Sequence, residues 1–397
     1  MRSALKGIRV SRSRAHRRPA SGHGQHAHRC GLAASFRDNA VPALVALVSL
    51  FAIGAPAPGA AQTGEPQVTL YVPALASDGP LGLRAATVLN LQIWKTLRRA
   101  PYPNPNGITF GTGLVLWDPS PLPQANHDSA VAAANVVGAD MVLWGKAWRY
   151  GGGVAVQAYL TLIDAAADTM DRWTARVERQ GAPVSLTVGL PRERYEFAPI
   201  ILDSAVVESL ESPAGLPIMA AKGSTEILGE VGSSFRALQQ DGDWTLIQSG
   251  PVRGWLHLPQ LSRKRSEVVD FVGGIIRLRR GDWAGAAQLL ERVASNSAAP
   301  YPIRIDAHLM LALARSRTGG DRLGPIRRAY ELNPHEAMTT KYECMEYVAR
   351  LAAGPDAATS ARLRQQLRGI LDERSYLFSP QDPWFAKVRQ LAGTRNE

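Results

Sequence analysis

Two tryptophans with polar neighbours are the residues whose types and spacing most clearly indicate chemistry. Trp244 stands in a Gly-Asp-Trp triplet and Trp255 in a Gly-Trp-Leu triplet. An exposed indole ring stacks well on prolines and on sugars, so either ring is a candidate contact for a proline-rich or sugar-containing ligand. Asp241 and His257 are candidates for the rim of the same site. The alternative is that both tryptophans are structural, with one of them in the core, because large aromatics supply much of the buried area of a small β-domain.

The other reactive residue types do not form a recognisable catalytic or metal-binding pattern. The histidines after the amino-terminal segment are isolated, without metal-ligand spacing: they are His127, His257, His308 and His335. The run 151–153 of three glycines is not a phosphate-binding loop, because a strand is predicted after it where such a loop needs a helix. We therefore predict a protein that is not an enzyme and that uses no metal or cofactor. The alternative is an enzyme of unrecognised type with a site near Asp140, Lys146 and Asp164.

The segment around the tryptophans, residues 213–262, has the pattern of a small β-barrel. Short apolar runs alternate with Gly, Ser and Asp-Gly turn signals. Strands are predicted at 218–220, 226–231, 234–239, 244–248 and 254–258. This spacing is typical of an all-β barrel.

Three stretches of this segment are similar to the bacterial SH3-like domain family. They are Ile227-Leu-Gly-Glu-Val-Gly232, Gly242-Asp-Trp-Thr-Leu-Ile247 and Gly254-Trp-Leu-His-Leu258. The chain departs from the family at Ala220-Ala221-Lys222, where many members carry an Arg-Xaa-Gly-Pro run. The resemblance implies a binding module, often for peptidoglycan, glycans or short peptides.

Residues 65–190 are predicted to form an α/β domain. Strands are expected at 68–75, 108–117, 141–148, 154–162 and 172–179, and helices at 83–98 and 126–137, with Asn126 or Asp128 as the cap of the second helix. The glycines at 151–153 predict a tight hairpin. From Ser129 to Asp164, the Ala-rich helix, the Gly-Ala-Asp-Met-Val-Leu-Trp-Gly run and the alternating strand resemble small α/β domains of envelope proteins, such as the amino-terminal part of TolB. The resemblance implies a docking or assembly module without chemistry.

Residues 267–391 have the pattern of paired helices. Helical spacing of apolar residues occurs over 268–279, 281–292, 306–317, 323–332, 337–351 and 358–371, and a capping helix is expected within 375–391. Gly274, Gly281, Trp283 and Pro300 follow the order of the tetratricopeptide (TPR) family, and Pro334 follows Pro300 at the period of that family. The resemblance implies a helical solenoid. The alternative is a plain helical bundle.

The net charge of +11 is concentrated in the amino-terminal segment. Basic residues are frequent up to Arg37, an apolar run follows from about Val41 to Ile53, and small residues precede Gln62. This pattern predicts a signal peptide over 1–61, cleaved near Gln62, and a periplasmic or secreted protein. The alternative is a retained anchor, although a spanning helix needs about 20 apolar residues. The rest of the chain is nearly neutral, which provides no compositional argument for nucleic-acid binding.

The two cysteines predict no disulfide within the mature chain. Cys30 lies in the predicted signal peptide, which leaves Cys344 alone. We expect Cys344 to be a small apolar residue inside a helix. His335 is nine residues before it, but this spacing alone does not make a catalytic dyad. His335 and Glu336 are better explained as a capping turn at a helix start.

These features together predict a multidomain α+β protein with a small α/β domain, an SH3-like β-barrel and α-helical TPR-like repeats. The leading hypothesis is an exported, non-enzymatic scaffold or adaptor that binds protein or cell-wall partners through its SH3-like and TPR-like modules. The first alternative is a peptidoglycan-binding sensor or hydrolase accessory, and the second is an enzyme of unrecognised type. The expected partners are envelope proteins, or peptidoglycan and peptide ligands. No nucleic-acid partner is expected, and no stable membrane span after signal cleavage.

Overall fold

The chain divides into two units, Met1–Ala61 and Gln62–Glu397, and all the residues that the structure describes belong to the second. The computed structural model describes residues 68–98, 114–117, 126–163, 170–179, 181–204, 207, 216–231, 236–241, 244–257 and 266–393. The predicted signal peptide at 1–61 lies outside these residues. Within them, no helix is both long enough and apolar enough to cross a bilayer.

Strands prevail in the described chain up to His257, and helices prevail from Glu267 onward. In chain order the elements are β1 Thr69–Val72, α1 Leu81–Arg98, β2 Leu114–Trp117, α2 His127–Val136, β3 Met141–Tyr150, β4 Gly153–Leu162, β5 Trp173–Arg179, β6 Ala182–Val188, β7 Arg194–Glu196, β8 Ile200–Asp203, β9 Pro217–Met219, β10 Ile227–Glu230, β11 Arg236–Asp241, β12 Trp244–Ser249, β13 Val252–His257, α3 Glu267–Arg279, α4 Trp283–Ser295, α5 Tyr301–Thr318, α6 Leu323–Leu332, α7 Ala337–Ala352, α8 Ala357–Arg374 and α9 Pro383–Ala392. The predicted mixed α+β class is confirmed.

The first sheet contains six described strands. Their order is β2-β1-β3-β4-β7, and β8 also pairs with β4. β1 is parallel to β2 and β3, whereas β4 is antiparallel to β3, β7 and β8. The predicted hairpin at 151–153 is confirmed, with Tyr150 directly opposite Gly153. Asn126 rather than Asp128 caps α2, since its side chain accepts the Ser129 N–H at 2.9 Å. Residues 108–113 of the predicted second strand lie outside the described residues.

The hairpin of β5 and β6 forms a second sheet that pairs with no other described strand. Its inward side chains are apolar and buried: Trp173, Ala175, Val177, Val184, Leu186 and Val188. They pack against helices, β5 on α7 and β6 on α7 and α9. An isolated hairpin is only marginally stable in water, so the helices stabilise this one. The sequence predicted β5 but not β6, β7 or β8. β7 and β8 have only three and four residues, which carry little periodic signal.

The third sheet, called the central sheet below, has the strand order β10-β9-β13-β12-β11. Each of the strands predicted between residues 218 and 258 is present, with shifts of one or two residues at its ends. All of its strand pairs are antiparallel. A turn at Gly250, which has a φ of 55°, joins β12 to β13.

The helices α3 to α9 pack in succession, each against the next. All the predicted helices are present. α5 begins at Tyr301, earlier than predicted, because Pro302 lies in its first turn, where proline needs no hydrogen-bonded N–H. The expected capping helix is α9, and Asp382 caps it by accepting the Trp384 N–H at 2.9 Å.

The turn predicted before α7 is present. Asn333 accepts the N–H of His335 at 3.1 Å, which is an Asx turn. Glu336 precedes α7 but its side chain makes no capping hydrogen bond. Instead, its carboxylate lies 3.3 Å from Nη2 of Arg192. The expected turn at the helix start is therefore present, with Glu336 as the N-cap residue, although a long-range ion pair takes the glutamate side chain.

The buried core continues from the first sheet into the helices. α1 packs against α3. Two buried arginines of α3 reinforce this junction: Arg277 donates to the Leu97 carbonyl oxygen at 3.1 Å, and Arg279 donates to the Asp140 carbonyl oxygen at 3.0 Å. The first sheet and the helices therefore share one hydrophobic core, across the predicted domain borders at residues 190 and 267.

Candidate functional site

The central sheet has an aliphatic core on one face. Side chains alternate between the two faces of each strand. The buried apolar ones are aliphatic: Ile218, Ile247, Leu256 and, directly after β10, Val231. Trp244 and Trp255 point to the opposite face, and both remain partly exposed. The expectation that one of these tryptophans lies in the core is wrong, because aliphatic side chains fill the core positions.

The register of the strands aligns two rows of side chains on the open face. The first row crosses four strands and consists of Ile227, Met219, Trp255 and Leu246. The second row pairs Trp244 of β12 with His257 of β13. Directly paired residues of neighbouring strands lie on the same face and touch. The two rows therefore form one apolar and aromatic surface, called the tryptophan face below.

Polar groups accompany both rings of the tryptophan face. The imidazole of His257 lies against Trp244, with ring centroids 4.7 Å apart and a tilt of 48°. The ammonium group of Lys222 lies over Trp255, with Nζ 4.5 Å from the ring centroid. A cation over an indole is attracted by the ring quadrupole. Each ring thus has a hydrogen-bonding side chain beside its apolar surface, which suits a ligand with both rings and polar groups.

Gly254 sets the position of Trp255 by allowing β13 to approach β9 closely. A Cβ atom at this position would lie 2.6 Å from the Met219 carbonyl oxygen and 2.6 Å from the Ile218 side chain. Such contacts are too short for any side chain, so a larger residue would separate the strands. The adjacent Trp255 pairs with Met219 through this close approach.

Three of the four residues predicted to bind a ligand are brought together. Trp244, Trp255 and His257 share the tryptophan face. Asp241 pairs with Trp244 at the start of the β11–β12 hairpin, but its side chain lies outside the described residues. The sequence analysis did not identify Met219, Ile227, Leu246 and Lys222. Alternation within the predicted strand contained a signal for Leu246, which is two positions from Trp244. Met219 and Ile227 join the face only through the pairing of β9 and β10 with β13.

The residues of the alternative enzyme site do not converge. The Asp140 carboxylate accepts the N–H of Thr69 at 2.6 Å, so it connects β1 to the start of β3. Lys146 is exposed six residues further along β3, about 20 Å away at the usual rise of a strand. Asp164 lies outside the described residues. The first two side chains therefore cannot act on one substrate atom in this arrangement.

Other residues with reactive side chains are dispersed as well. No group of three His, Cys, Asp or Glu side chains in the described ranges could hold a metal ion. Cys344 is fully buried in α7, as expected, and burial raises the pKa of its thiol, which disfavours the reactive thiolate. Burial and nearby arginines lower the pKa of His308 to about 4. The imidazole of His335 lies 2.8 Å from the Tyr376 hydroxyl on the surface.

A polar cluster joins the loop after β6 to the helices. Asp306 of α5 is almost fully buried, and its carboxylate lies 2.8 Å from Nε of Arg192. Arg192 also pairs with Glu336. Burial raises the pKa of Asp306 to about 7, although the charge of Arg192 acts in the opposite direction. The cluster connects two parts of the fold, and its charged groups bind one another.

The comparisons with known proteins add no relative. No protein-family model, curated protein or solved structure matches the chain.

Proposed function

We propose that this protein is an exported, non-enzymatic scaffold that binds peptide or cell-wall ligands on the tryptophan face of its central sheet. The observation that carries the proposal is the exposure of Trp244 and Trp255 on one face of a sheet whose core is aliphatic. Because neither ring fills the core, their partial exposure is not explained by the packing of the sheet. Exposed aromatic rings beside hydrogen-bonding groups are typical of sites that bind sugars and proline-containing peptides.

The dimensions of the tryptophan face suit a short stretch of a polymer. Its first row crosses four strands, which spans about 14 Å at the usual strand spacing of about 4.8 Å. A polyproline II peptide repeats every three residues, or about 9.3 Å, which is close to two strand spacings. Such a peptide can place successive apolar side chains on alternate members of the row. A glycan strand can lay successive rings on the same surface.

The rest of the chain has a supporting role in this proposal. The resemblances to SH3-like, TPR-like and TolB-amino-terminal-like domains are consistent with a docking protein. However, α7 packs against the β5–β6 hairpin and α3 packs against α1. These helical surfaces are used inside the molecule, so we assign ligand binding to the central sheet and not to the helices.

Retention on two kinds of target tests the proposal. The purified protein should be retained by peptidoglycan sacculi or by immobilised envelope proteins. Trp244→Ala and Trp255→Ala should each reduce retention about tenfold or more, as the loss of a stacked aromatic contact implies. Tyr301→Ala is the matched control, because Tyr301 is 60% exposed and lies on a helix. Loss of retention in the control as well, or retention unchanged in both tryptophan variants, would contradict the proposal.

The same experiment separates the scaffold from the peptidoglycan-binding sensor or hydrolase accessory. The tilted contact of His257 with Trp244 favours neither, since both peptides and sugars accept hydrogen bonds from an imidazole. Retention on sacculi alone supports the wall-binding alternative. Retention on envelope proteins alone supports the protein scaffold.

A further inference from the structure

Arg253 is a charged residue of β13 that lies on the tryptophan face. Arg253, Trp255 and His257 are alternate residues of one strand, so their side chains share a face. The strand pairing agrees, because Arg253 lies opposite Gln248 of β12 and Trp255 lies opposite Leu246. Arg253 is exposed, and its Cα atom is about 7 Å from that of Trp255 at the usual rise of a strand. Its guanidinium can therefore reach a ligand that packs on this ring.

No acidic group of the described chain neutralises Arg253. Within the described ranges, no hydrogen bond or ion pair involves its side chain. The row of positions through Arg253 continues to Gln248 of β12 and then to Arg236 of β11. The acid of the β9–β10 loop is Glu226, which directly precedes Ile227 and so points to the opposite face. The charge of Arg253 is therefore available to a ligand.

Arg176 of β5 provides an internal comparison, because it is also an exposed arginine on a strand. Its side chain is 66% exposed, and its Nη2 lies 3.9 Å from the carboxylate of Glu178. Glu178 is two positions further along the same strand, on the same face. β13 contains no acid at all. Arg176 thus has a partner within its own strand, whereas the partner that suits Arg253 comes from outside the sheet.

The two ends of the tryptophan face differ in charge. β9 is antiparallel to β13, with Met219 opposite Trp255, so the residues that follow Met219 run toward Arg253. Lys222, whose ammonium group lies over Trp255, belongs to this end. The exposed Glu230 of β10 belongs to the other end, because it pairs with a residue that precedes Met219. An acidic ligand is therefore favoured with its carboxylate at the Arg253 end.

The apolar members of the tryptophan face favour a peptide over a glycan. The first row contains one aromatic ring, that of Trp255, and its other members are Met219, Ile227 and Leu246. A sugar stacks well on an indole, but its hydroxyl groups lose water without gaining partners on aliphatic side chains. Prolyl and aliphatic side chains of a peptide gain from contact with every member of the row.

We propose that Arg253 selects the ligand of the tryptophan face, and that this ligand is an acidic peptide. The prolyl or aliphatic residues of the peptide pack on the row through Trp255, and one of its carboxylates accepts hydrogen bonds from the Arg253 guanidinium. This inference rests on the proposed function, because it assigns the ligand class of the same site. The ion pair is exposed, so it contributes more to selectivity and to the rate of association than to affinity.

Fluorescence anisotropy with labelled peptides tests this proposal in the full chain. The probes are three repeats of Pro-Pro-Glu, of Pro-Pro-Gln and of Pro-Pro-Lys, which differ only in every third residue. The unmodified protein should bind the glutamate peptide about fivefold more tightly than the glutamine peptide, as expected for an exposed charge-assisted contact, and the lysine peptide least. Arg253→Gln should abolish the preference for glutamate, with an unchanged thermal midpoint because the side chain is exposed.

A reversal of charge separates recognition from a structural role. Arg253→Glu should reverse the order of affinities, so that the lysine peptide binds more tightly than the glutamate peptide. A purely structural role of Arg253 would lower the affinity for all three peptides equally. Arg176→Glu is the matched control, because it makes the same change of charge at an exposed strand residue with a different sheet around it. The control should keep the order of the unmodified protein.

The possible failures distinguish this inference from the proposed function. Equal binding of the glutamate and glutamine peptides, with both lost in Trp255→Ala, would overturn the role of Arg253 and leave the proposed function in place. Peptide binding that survives in both Trp244→Ala and Trp255→Ala would overturn the proposed function as well. Loss of the glutamate preference in Arg176→Glu would assign the preference to overall charge. If no peptide binds at millimolar concentration, the acidic peptide is wrong, and retention on sacculi decides the proposed function separately.

Discussion

The hairpins β5–β6 and β12–β13 both have a tryptophan as the first residue of their first strand, and the two residues have opposite surroundings. Trp173 is 4% exposed, and its ring meets Tyr342 of α7 edge to face at 6.2 Å. Trp244 is partly exposed, and its nearest aromatic partner is His257 of the same hairpin. The difference teaches that a strand-start tryptophan is buried where a distant helix packs on its face, and stays partly exposed where its aromatic neighbour belongs to the same hairpin.

The largest expected effect follows from Trp173. Trp173→Ala should lower the free energy of unfolding by about 3–5 kcal/mol, because it leaves a cavity between β5 and α7. Chemical denaturation measures the change. A loss below about 1 kcal/mol would show that the ring of Trp173 does not stabilise the β5–β6 hairpin. Trp173 and Trp244 would then not differ in their structural role.

The next largest effect concerns Arg279, which contacts Asp171 just before the β5–β6 hairpin. Arg279 is 4% exposed, its Nε lies 3.3 Å from the Asp171 carboxylate, and its Nη1 donates to the Asp140 carbonyl oxygen. Arg279→Met should cost about 3 kcal/mol, because it removes a buried cation that contacts both the largely buried Asp171 carboxylate and the Asp140 carbonyl oxygen. The matched variant Arg253→Met, on the exposed side of the second hairpin, should change stability by at most about 0.5 kcal/mol. Equal losses of stability in the two variants would show that Arg279 does not hold the β5–β6 hairpin in place.

A series of unfolding measurements at different pH values tests two titratable groups of α5, Asp306 and His308. The pKa of Asp306 rises from 3.8 to about 7 by burial, so the folded state binds its proton more tightly than the unfolded state does. Stability from this group is present below pH 4 and is lost as the pH rises to about 7. His308 has the opposite sign: its pKa falls from 6.5 to about 4, so its contribution is present above pH 6.5 and is lost as the pH falls to about 4.

Substitution of each group measures its share of the pH dependence. Between pH 4 and pH 7 the stability of Asp306→Asn relative to the unmodified protein should increase, by on the order of 2 kcal/mol. His308→Gln should shift the profile in the opposite direction over pH 4 to 6.5. Unfolding midpoints at several pH values measure both. Parallel profiles for all three proteins would show that neither group titrates differently on folding.

The smallest effect on stability is expected for Trp244 and Trp255, whose replacement should have the largest effect on ligand binding. Trp244→Ala and Trp255→Ala should each lower the free energy of unfolding by less than about 1 kcal/mol, because the rings lie outside the aliphatic core. Denaturation of the same samples used for ligand retention measures this. Losses as large as that of Trp173→Ala would mean that both tryptophans are structural after all.

Much of the fold could be predicted because local signals were strong. Three glycines predicted the β3–β4 hairpin, and periodic apolar residues predicted the helices and the strands of the central sheet. β7 and β8 were missed, since they pair with β4, dozens of residues earlier in the chain. β6 was missed although it is the hairpin partner of β5. The arginine anchor of α3 was missed for the same reason: Arg279 resembles any basic residue near a helix end until Asp140 and Asp171 lie beside it.

The candidate site was predicted in part. Residue type was sufficient to select Trp244, Trp255 and His257, because aromatic and imidazole side chains have few equivalents in binding chemistry. Their common face depended on strand register, which a shift of one residue would reverse. Met219 and Ile227 were recognisable only when β9 and β10 lay beside β13.

The amino-acid sequence by itself determined where helices and strands form, which residues alternate between faces and where the charge lies, because these are properties of neighbouring residues. Only the tertiary structure decided which tryptophan is buried and which is open. Trp173 and Trp244 have similar local settings, and burial depends on whether a distant helix reaches the same face. For Trp173 that helix is α7, more than 150 residues away, whereas the ring that lies against Trp244 is that of His257, in the neighbouring strand of its own sheet.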